Sequence, residues 1–308
     1  MDKQLTSLST HLPVPSNPRI TAYQIFDLLD VSETTRDEYK YRISLFLKFI
    51  KDSPINNNSY LEFKRYLLGR IDFSISTKNK YLATAKIFLK ELNRQSVLPV
   101  DITQNIKSFS QTKKHKKDGL NEGEMTRLVD QMKPLPPTLQ NTRFKAIVAL
   151  LALQGLRQIE ITRLEVKDLD LVSKTALIRG KGRDDQEPVD LHPETIKTLR
   201  DYLKTNKKAS GPLFTSQSNN SRGQRLTTRA IRKIVTGFLK QLGIEKGVHS
   251  FRHYFTTKLI KTYKGDLLEV AGYTRHRGLE MLQVYNDSIR KQADLPRYYE
   301  TFKNINFN

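Results

Sequence analysis

From Thr34 onward, apolar residues recur every three or four positions: Tyr39, Ile43, Phe46, Leu47 and Ile50 fall on one stripe, the pattern of an amphipathic helix. Ser53-Pro54 predicts its end, because proline lacks the amide a helix interior needs. A second stripe runs through Tyr60, Phe63 and Leu67, and a third through Tyr81, Ala85, Phe88, Leu89 and Leu92, with Thr77 expected as the cap of the third. Residues 1–20, which hold Pro13, Pro15 and Pro18, predict a loosely ordered arm. Apolar periodicity then lapses between Leu98 and Gly119, where Lys113, Lys114, Lys116 and Lys117 cluster. These limits predict a helical domain over 21–111, a basic linker over 112–119 and a second domain over 120–308.

The second domain opens with Asn121 and Glu124 at the spacing of a capping box. Phe144, Ile147, Val148 and Leu151 predict an apolar helix that ends near Gly155. Two β-like runs, Thr175 to Arg179 and Pro188 to Leu191, flank a hairpin loop from Gly180 to Asp185. Past Gly211-Pro212, the residues Ile231, Ile234, Val235, Phe238, Leu239 and Leu242 form one helical stripe, with Arg229, Arg232 and Lys233 on another face. The expectation is a mainly α protein with a small β-sheet.

Charge narrows the function. The formal net charge is +21, and the basic excess occurs in both halves rather than in a tail. Such a distribution suits a protein that surrounds a polyanion; a merely basic soluble protein or a ribosome-associated factor is the plain alternative. With no cysteine, disulfides and thiolate zinc sites are excluded. No apolar run approaches the ~20 residues that cross a bilayer, and the first residues lack the basic start and apolar core of a secretory signal. A cytoplasmic or nucleoid-associated protein with no membrane partner is expected.

Four clusters in the second domain carry candidate chemistry. Gly155-Leu156-Arg157 places an arginine after a glycine turn, with Glu160 three residues on to orient it. Gly180-Lys181-Gly182 sets a lysine at a hairpin tip. His249, Arg252 and His253 share one helical face; zinc could use two histidines at that spacing, but an arginine between them favours an anion. Finally, His276 precedes Tyr285 by nine residues. Each cluster alone has a plain structural reading, such as a surface ion pair, a turn lysine or a core tyrosine. Together they supply what metal-free transesterification at a phosphodiester requires: guanidiniums to fork onto the nonbridging oxygens, a phenol nucleophile whose ester keeps the bond energy, and bases to move its proton.

The ordered series resembles the tyrosine recombinase, or phage integrase, family, and the resemblance covers nearly the whole chain. It implies a helical core-binding domain and an α/β catalytic domain forming a clamp around DNA. It implies that Arg157 and Arg252 hold the scissile phosphate, Lys181 protonates the departing 5′ oxygen, His249 accepts the tyrosine proton, His276 hydrogen-bonds the phosphate, Glu160 steadies the site and Tyr285 is the nucleophile. No cofactor is implied, neither metal nor nucleotide. Candidate DNA contacts are Thr77, Lys78 and Lys80, the lysines 113, 114, 116 and 117, and Arg229, Arg232 and Lys233; the first domain repeats a Thr-x-x-x-Tyr setting at Thr35 and Tyr39, then Thr77 and Tyr81.

One stretch departs from the family. Many relatives have glycine followed at once by histidine, whereas here the chain reads Gly272-Tyr273-Thr274-Arg275-His276. Adjacency to glycine would put Tyr273 in the histidine's place; spacing to Tyr285 favours His276. Tyr298 and Tyr299 are alternative nucleophiles. The resemblance further implies a homotetramer on double-stranded DNA with a specific recombination site, exchange through a Holliday junction, and scope for accessory DNA-binding proteins. The apolar end (Leu295, Tyr298, Tyr299, Phe302, Ile305, Phe307) is expected to dock on a neighbouring protomer or on its own domain. A type IB topoisomerase-like strand cutter, a non-cutting regulator of this fold and an RNA-binding protein are the rival readings.

Overall fold

The computed structural model describes residues 18–51, 53–111, 119–180, 185–207, 209–276 and 278–305, with side chains from Tyr23 onward. The chain divides into two compact units, Met1–Thr112 and Lys113–Asn308.

The first unit is built from four helices: α1 (Pro18–Asp27), α2 (Glu33–Ile50), α3 (Ser59–Gly69) and α4 (Ile75–Arg94). Helix α1 begins at Pro18, inside the stretch expected to be an arm; proline suits a first helical position, where no amide partner is needed. The three apolar stripes converge on one core, with Phe26, Ile43, Phe46, Phe63, Leu67, Leu82 and Phe88 almost wholly buried. Edge-to-face packing of Phe46 on Phe63 at 5.0 Å locks α2 to α3. The cap of α4 is Ser74, not Thr77: the Ser74 hydroxyl accepts the Thr77 amide at 3.2 Å, so Thr77 is already inside the first turn.

In the second unit, α5 (Glu122–Met132) starts from the expected capping box of Asn121 and Glu124. Helix α6 (Leu139–Leu153) is apolar on nearly every side, and for that reason it runs through the centre, packed by α8 (Pro193–Asn206), α9 (Thr228–Gln241) and α10 (His249–Thr262). Between them lie α7 (Gln158–Arg163) and an antiparallel sheet in the order β1 (Leu169–Asp170), β2 (Thr175–Arg179), β3 (Gln186–Asp190). The register pairs Ala176 with Val189 and Ile178 with Glu187. Ala176 and Ile178 point into the core while Leu177 faces outward, the alternation of a half-buried strand. The two-residue β1 was not anticipated, being too short to show a period. Helices α11 (Leu267–Thr274) and α12 (Glu280–Thr301) complete the chain, and α12 continues through Pro296.

The architecture is therefore mostly helical with one small sheet. Among the described residues, no helix is long and apolar enough to cross a membrane.

Candidate active site

The site begins at a turn that only glycine makes easily. Gly155 has φ +58°, and a Cβ there would stand 2.3 Å from the Phe255 ring. Past this turn Arg157 caps α7, its amide donating to Glu160 Oε2 at 2.8 Å and its Nη1 to Glu160 Oε1 at 2.8 Å. Glu160 is wholly buried, whereas the Arg157 side chain keeps about a third of its surface open, at 34%. A carboxylate fixed in the interior thus holds a guanidinium that stays partly open to solvent.

Arg252, on the first turn of α10, is buried and donates Nη1 to the Gly155 carbonyl at 2.6 Å and Nη2 to the Thr274 carbonyl at 2.5 Å. It therefore ties the glycine turn to the end of α11. Burial pushes its pKa down to about 10, helped by Arg157 and Arg275 and opposed by Glu160; the group stays charged at neutral pH. A buried guanidinium with two others beside it is an arrangement suited to an anion.

At the end of α11, Thr274 is fully buried and its hydroxyl donates to the Val270 carbonyl at 2.8 Å. The same oxygen lies 2.7 Å from His276 Nδ1. Because the single hydroxyl proton goes to Val270, Nδ1–H is the donor and Nε2 is left with a lone pair. Burial, then the charges of Arg252, Arg157 and Arg275, push the His276 pKa down to about 4, so the ring is neutral at pH 7. The role first expected for His276, donating to a phosphate, then requires a proton that the anion itself would stabilise. Tyr273, weighed for the same place, is half exposed and lies against Tyr263 at 5.6 Å.

Tyr285 sits on α12, where Leu282 packs with Ile260 of α10 and Val270 of α11. Its ring lies 5.1 Å from that of His253, which stands 4.8 Å edge-on from His249. Burial pushes the phenol up to about 12, and Arg252 pulls the other way. Desolvation thus keeps the phenol protonated at neutral pH. Tyr298 and Tyr299 are exposed and lie about 20 Å farther along the same helix.

The fold thus gathers Arg157, Glu160, His249, Arg252, His276 and Tyr285 from α7, α10, the end of α11 and α12. Lys181 lies outside the described residues, as do Lys113, Lys114, Lys116 and Lys117; Gly180, just before Lys181, has its carbonyl bound by Arg163 Nη1 at 2.9 Å. Three participants were not singled out as site residues: His253, Thr274 and Arg275. His253 shares the face of His249 and was legible by spacing, but nothing in the sequence links Arg275 to Glu160, 115 residues away. Of the expected DNA contacts, Lys80, Arg229, Arg232 and Lys233 are exposed. Lys78 is instead buried at 6%, its ammonium donating to the Leu68 carbonyl at 2.8 Å, so its charge serves the end of α3 rather than a solvent-facing surface.

An arginine-rich α/β unit with a tyrosine seated on its last long helix, accompanied by a small helical unit, defines the class of tyrosine-type strand-exchange enzymes. The model of the phage integrase family matches residues 119–292, more than half of the chain, and the chain belongs to that family as a tyrosine-type site-specific recombinase. The tyrosine recombinase XerC of Lactobacillus delbrueckii subsp. bulgaricus is 30% identical over 221 residues, covering 68% of this chain and 71% of that one. The tyrosine recombinase XerD of Oceanobacillus iheyensis is 27% identical over 287 residues, covering 88% and 93%. Among solved structures, the fold matches XerH site-specific recombinase bound to palindromic difH substrate with a TM-score of 0.72 at 20% identity, over 86% of this chain and 79% of that one. It also matches the Tn1549 transposon integrase in complex with transposon right end DNA with a TM-score of 0.68 at 16% identity, over 91% and 98%.

Proposed function

We propose that this chain recombines duplex DNA at a specific site through a covalent 3′-phosphotyrosine, without metal or nucleotide. Tyr285 Oη attacks the scissile phosphorus, the bond to the 5′ oxygen breaks, and that oxygen leaves with a proton from Lys181. Arg157 and Arg252 bind the nonbridging oxygens and neutralise the charge that grows on them. His249 accepts the phenol proton, and His276 takes up a proton to hydrogen-bond the phosphate. The 5′ hydroxyl of a partner strand then attacks the phosphotyrosine, restores the phosphodiester and frees Tyr285; two such exchanges pass through a Holliday junction. Glu160 holds Arg157 in place throughout.

The observation that carries this reading is the convergence of two fixed guanidiniums and a tyrosine: Arg157 is held by buried Glu160, Arg252 is tied to the Gly155 and Thr274 carbonyls, and the charge of Arg252 acts on the phenol of buried Tyr285 against its desolvation. Relatives of the same fold are described bound to DNA, among them XerH on its difH substrate and the Tn1549 integrase on a transposon end. The helical unit and the catalytic unit would clamp the duplex, with the lysines at 113, 114, 116 and 117, Lys80, Thr77 and the basic face of α9 on its backbone. Strand exchange between two duplexes needs four such sites, hence a homotetramer on DNA in the cytoplasm. The exposed apolar side chains Tyr298, Tyr299, Phe302 and Ile305 at the end of the chain support a protomer contact.

The test mixes the purified protein, without divalent metal, with nicked candidate sites and looks for a protein–DNA adduct that survives denaturation. The wild type is expected to trap on the 3′ side, and Tyr285→Phe to trap nothing. An adduct retained in Tyr285→Phe moves the nucleophile elsewhere; tight binding with no adduct from the wild type favours a non-cutting regulator.

A further inference from the structure

Glu160 is wholly buried and accepts from two cations, not one. Arg157 Nη1 reaches Oε1, and Arg275 Nη2 reaches Oε2 at 2.7 Å. Arg275 also forms an ion pair through Nε with Glu187 of β3 at 3.2 Å, and its own side chain is only 6% exposed. This arginine stands in the left-handed region, at φ 55° and ψ 42°, directly before His276. A Cβ is disfavoured in that conformation, and glycine occupies it most easily. Its side chain is thus buried against two carboxylates while its backbone holds a conformation that glycine adopts most easily.

We infer that Arg275 is a positioning residue for the transesterification, a third guanidinium that offsets Glu160 and Glu187 so that a net positive charge remains at Arg157 and Arg252 for the phosphate. The formal count supports this. Arg157, Arg252 and Arg275 against Glu160 and Glu187 leave one positive charge, opposite to the single negative charge of a phosphodiester. Among these five groups, removing Arg275 leaves two carboxylates against the two phosphate-binding arginines. Geometry gives the same residue a second role, because it joins α7, the β2–β3 hairpin and the backbone that carries His276, three elements that must meet around one phosphorus atom. Arg275 does not itself touch the DNA in this scheme.

This inference rests on the proposed reaction, and two readouts separate them: the rate of adduct formation on a nicked site, and affinity for inorganic phosphate. Arg275→Gly relieves the backbone and removes the charge. It is expected to fold, to bind duplex DNA nearly as the wild type does, and to lose about tenfold to a hundredfold in both readouts, the scale of losing an outer support of an active-site group. Arg275→Lys should recover part of the loss. Adding Glu187→Gln to Arg275→Gly should recover much of it, and Glu187→Gln alone should tighten phosphate binding, because one carboxylate fewer then needs compensation. A purely structural ion pair predicts the reverse for Glu187→Gln, since breaking it would loosen the site. Wild-type values in Arg275→Gly, or weaker phosphate binding in Glu187→Gln, would overturn the inference. If the wild type forms no adduct yet phosphate affinity follows this pattern, the proposed reaction falls and Arg275 stands only as a support of the anion site.

Discussion

At the scale of single residues, the candidate site holds groups in states they would not adopt in water. His276 resists protonation until about pH 4 because it is buried among guanidiniums, while the same imidazole in the unfolded chain titrates near ~6.5. Its folded-state pKa is depressed, so its contribution to stability is complete above the unfolded value and is lost as the pH falls from about 6.5 through 4. Urea midpoints of the wild type and His276→Gln, followed from pH 7.5 to 4, should therefore shift against the wild type on acidification; a constant difference would contradict the buried neutral ring. Gly155 is the second such residue. Alanine there must adopt φ +58° and displace the Phe255 ring, so Gly155→Ala should lose at least about 1–2 kcal/mol, the left-handed cost alone, together with the Gly155 carbonyl's grip on Arg252. Denaturant unfolding reads the first effect and phosphate affinity the second.

At the scale of elements, helix ends do much of the positioning. Arg157 stands at the start of α7, His249 and Arg252 in the first turn of α10, and His276 just past the end of α11. Chain ends of helices leave amides and carbonyls unpaired, and here two carbonyls, of Gly155 and Thr274, are satisfied by Arg252. The site is thus partly assembled from the helices' own capping requirements. The caps of the first unit are legible in the same terms. Removing the Ser74 hydroxyl with Ser74→Ala should cost about 1 kcal/mol, and Thr77→Val less, because the Thr77 amide would keep its acceptor. Equal losses would put Thr77 back as the cap. The apolar periods of α2, α3, α4 and α9 are clear in the sequence because each of these helices has one solvated face. The period of α6 is absent because it is buried on nearly every side.

At the scale of the whole molecule, the +21 charge is spread along the chain, whereas the exposed apolar side chains of Tyr298, Tyr299, Phe302 and Ile305 are concentrated at its end. Charge spread in this way suits a long polyanion; an apolar end left in solvent suits another protein surface. Tyr298→Ser combined with Phe302→Ser should leave monomer stability and the Tyr285 adduct nearly unchanged while lowering assembly on paired DNA sites. Sedimentation of protein–DNA complexes measures this, and unchanged higher-order complexes would assign those side chains to their own domain.

The sequence alone determined the helix faces, the first hairpin strand, the approximate place of the second, which begins at Gln186 rather than Pro188, and the capping box at Asn121, because each of these follows from spacing within a few residues. It also ranked His276 over Tyr273 by distance to Tyr285. Tertiary structure alone decided what those residues face: that Glu160 is shared between Arg157 and Arg275, that the His253 ring meets that of Tyr285, and that Lys78 is buried. The physical reason is common to all three. Periodicity reports which side of an element is dry, but pairing between charges depends on which dry sides are brought together, and those partners lie on different elements, or across a turn between them, as with Lys78 and Leu68.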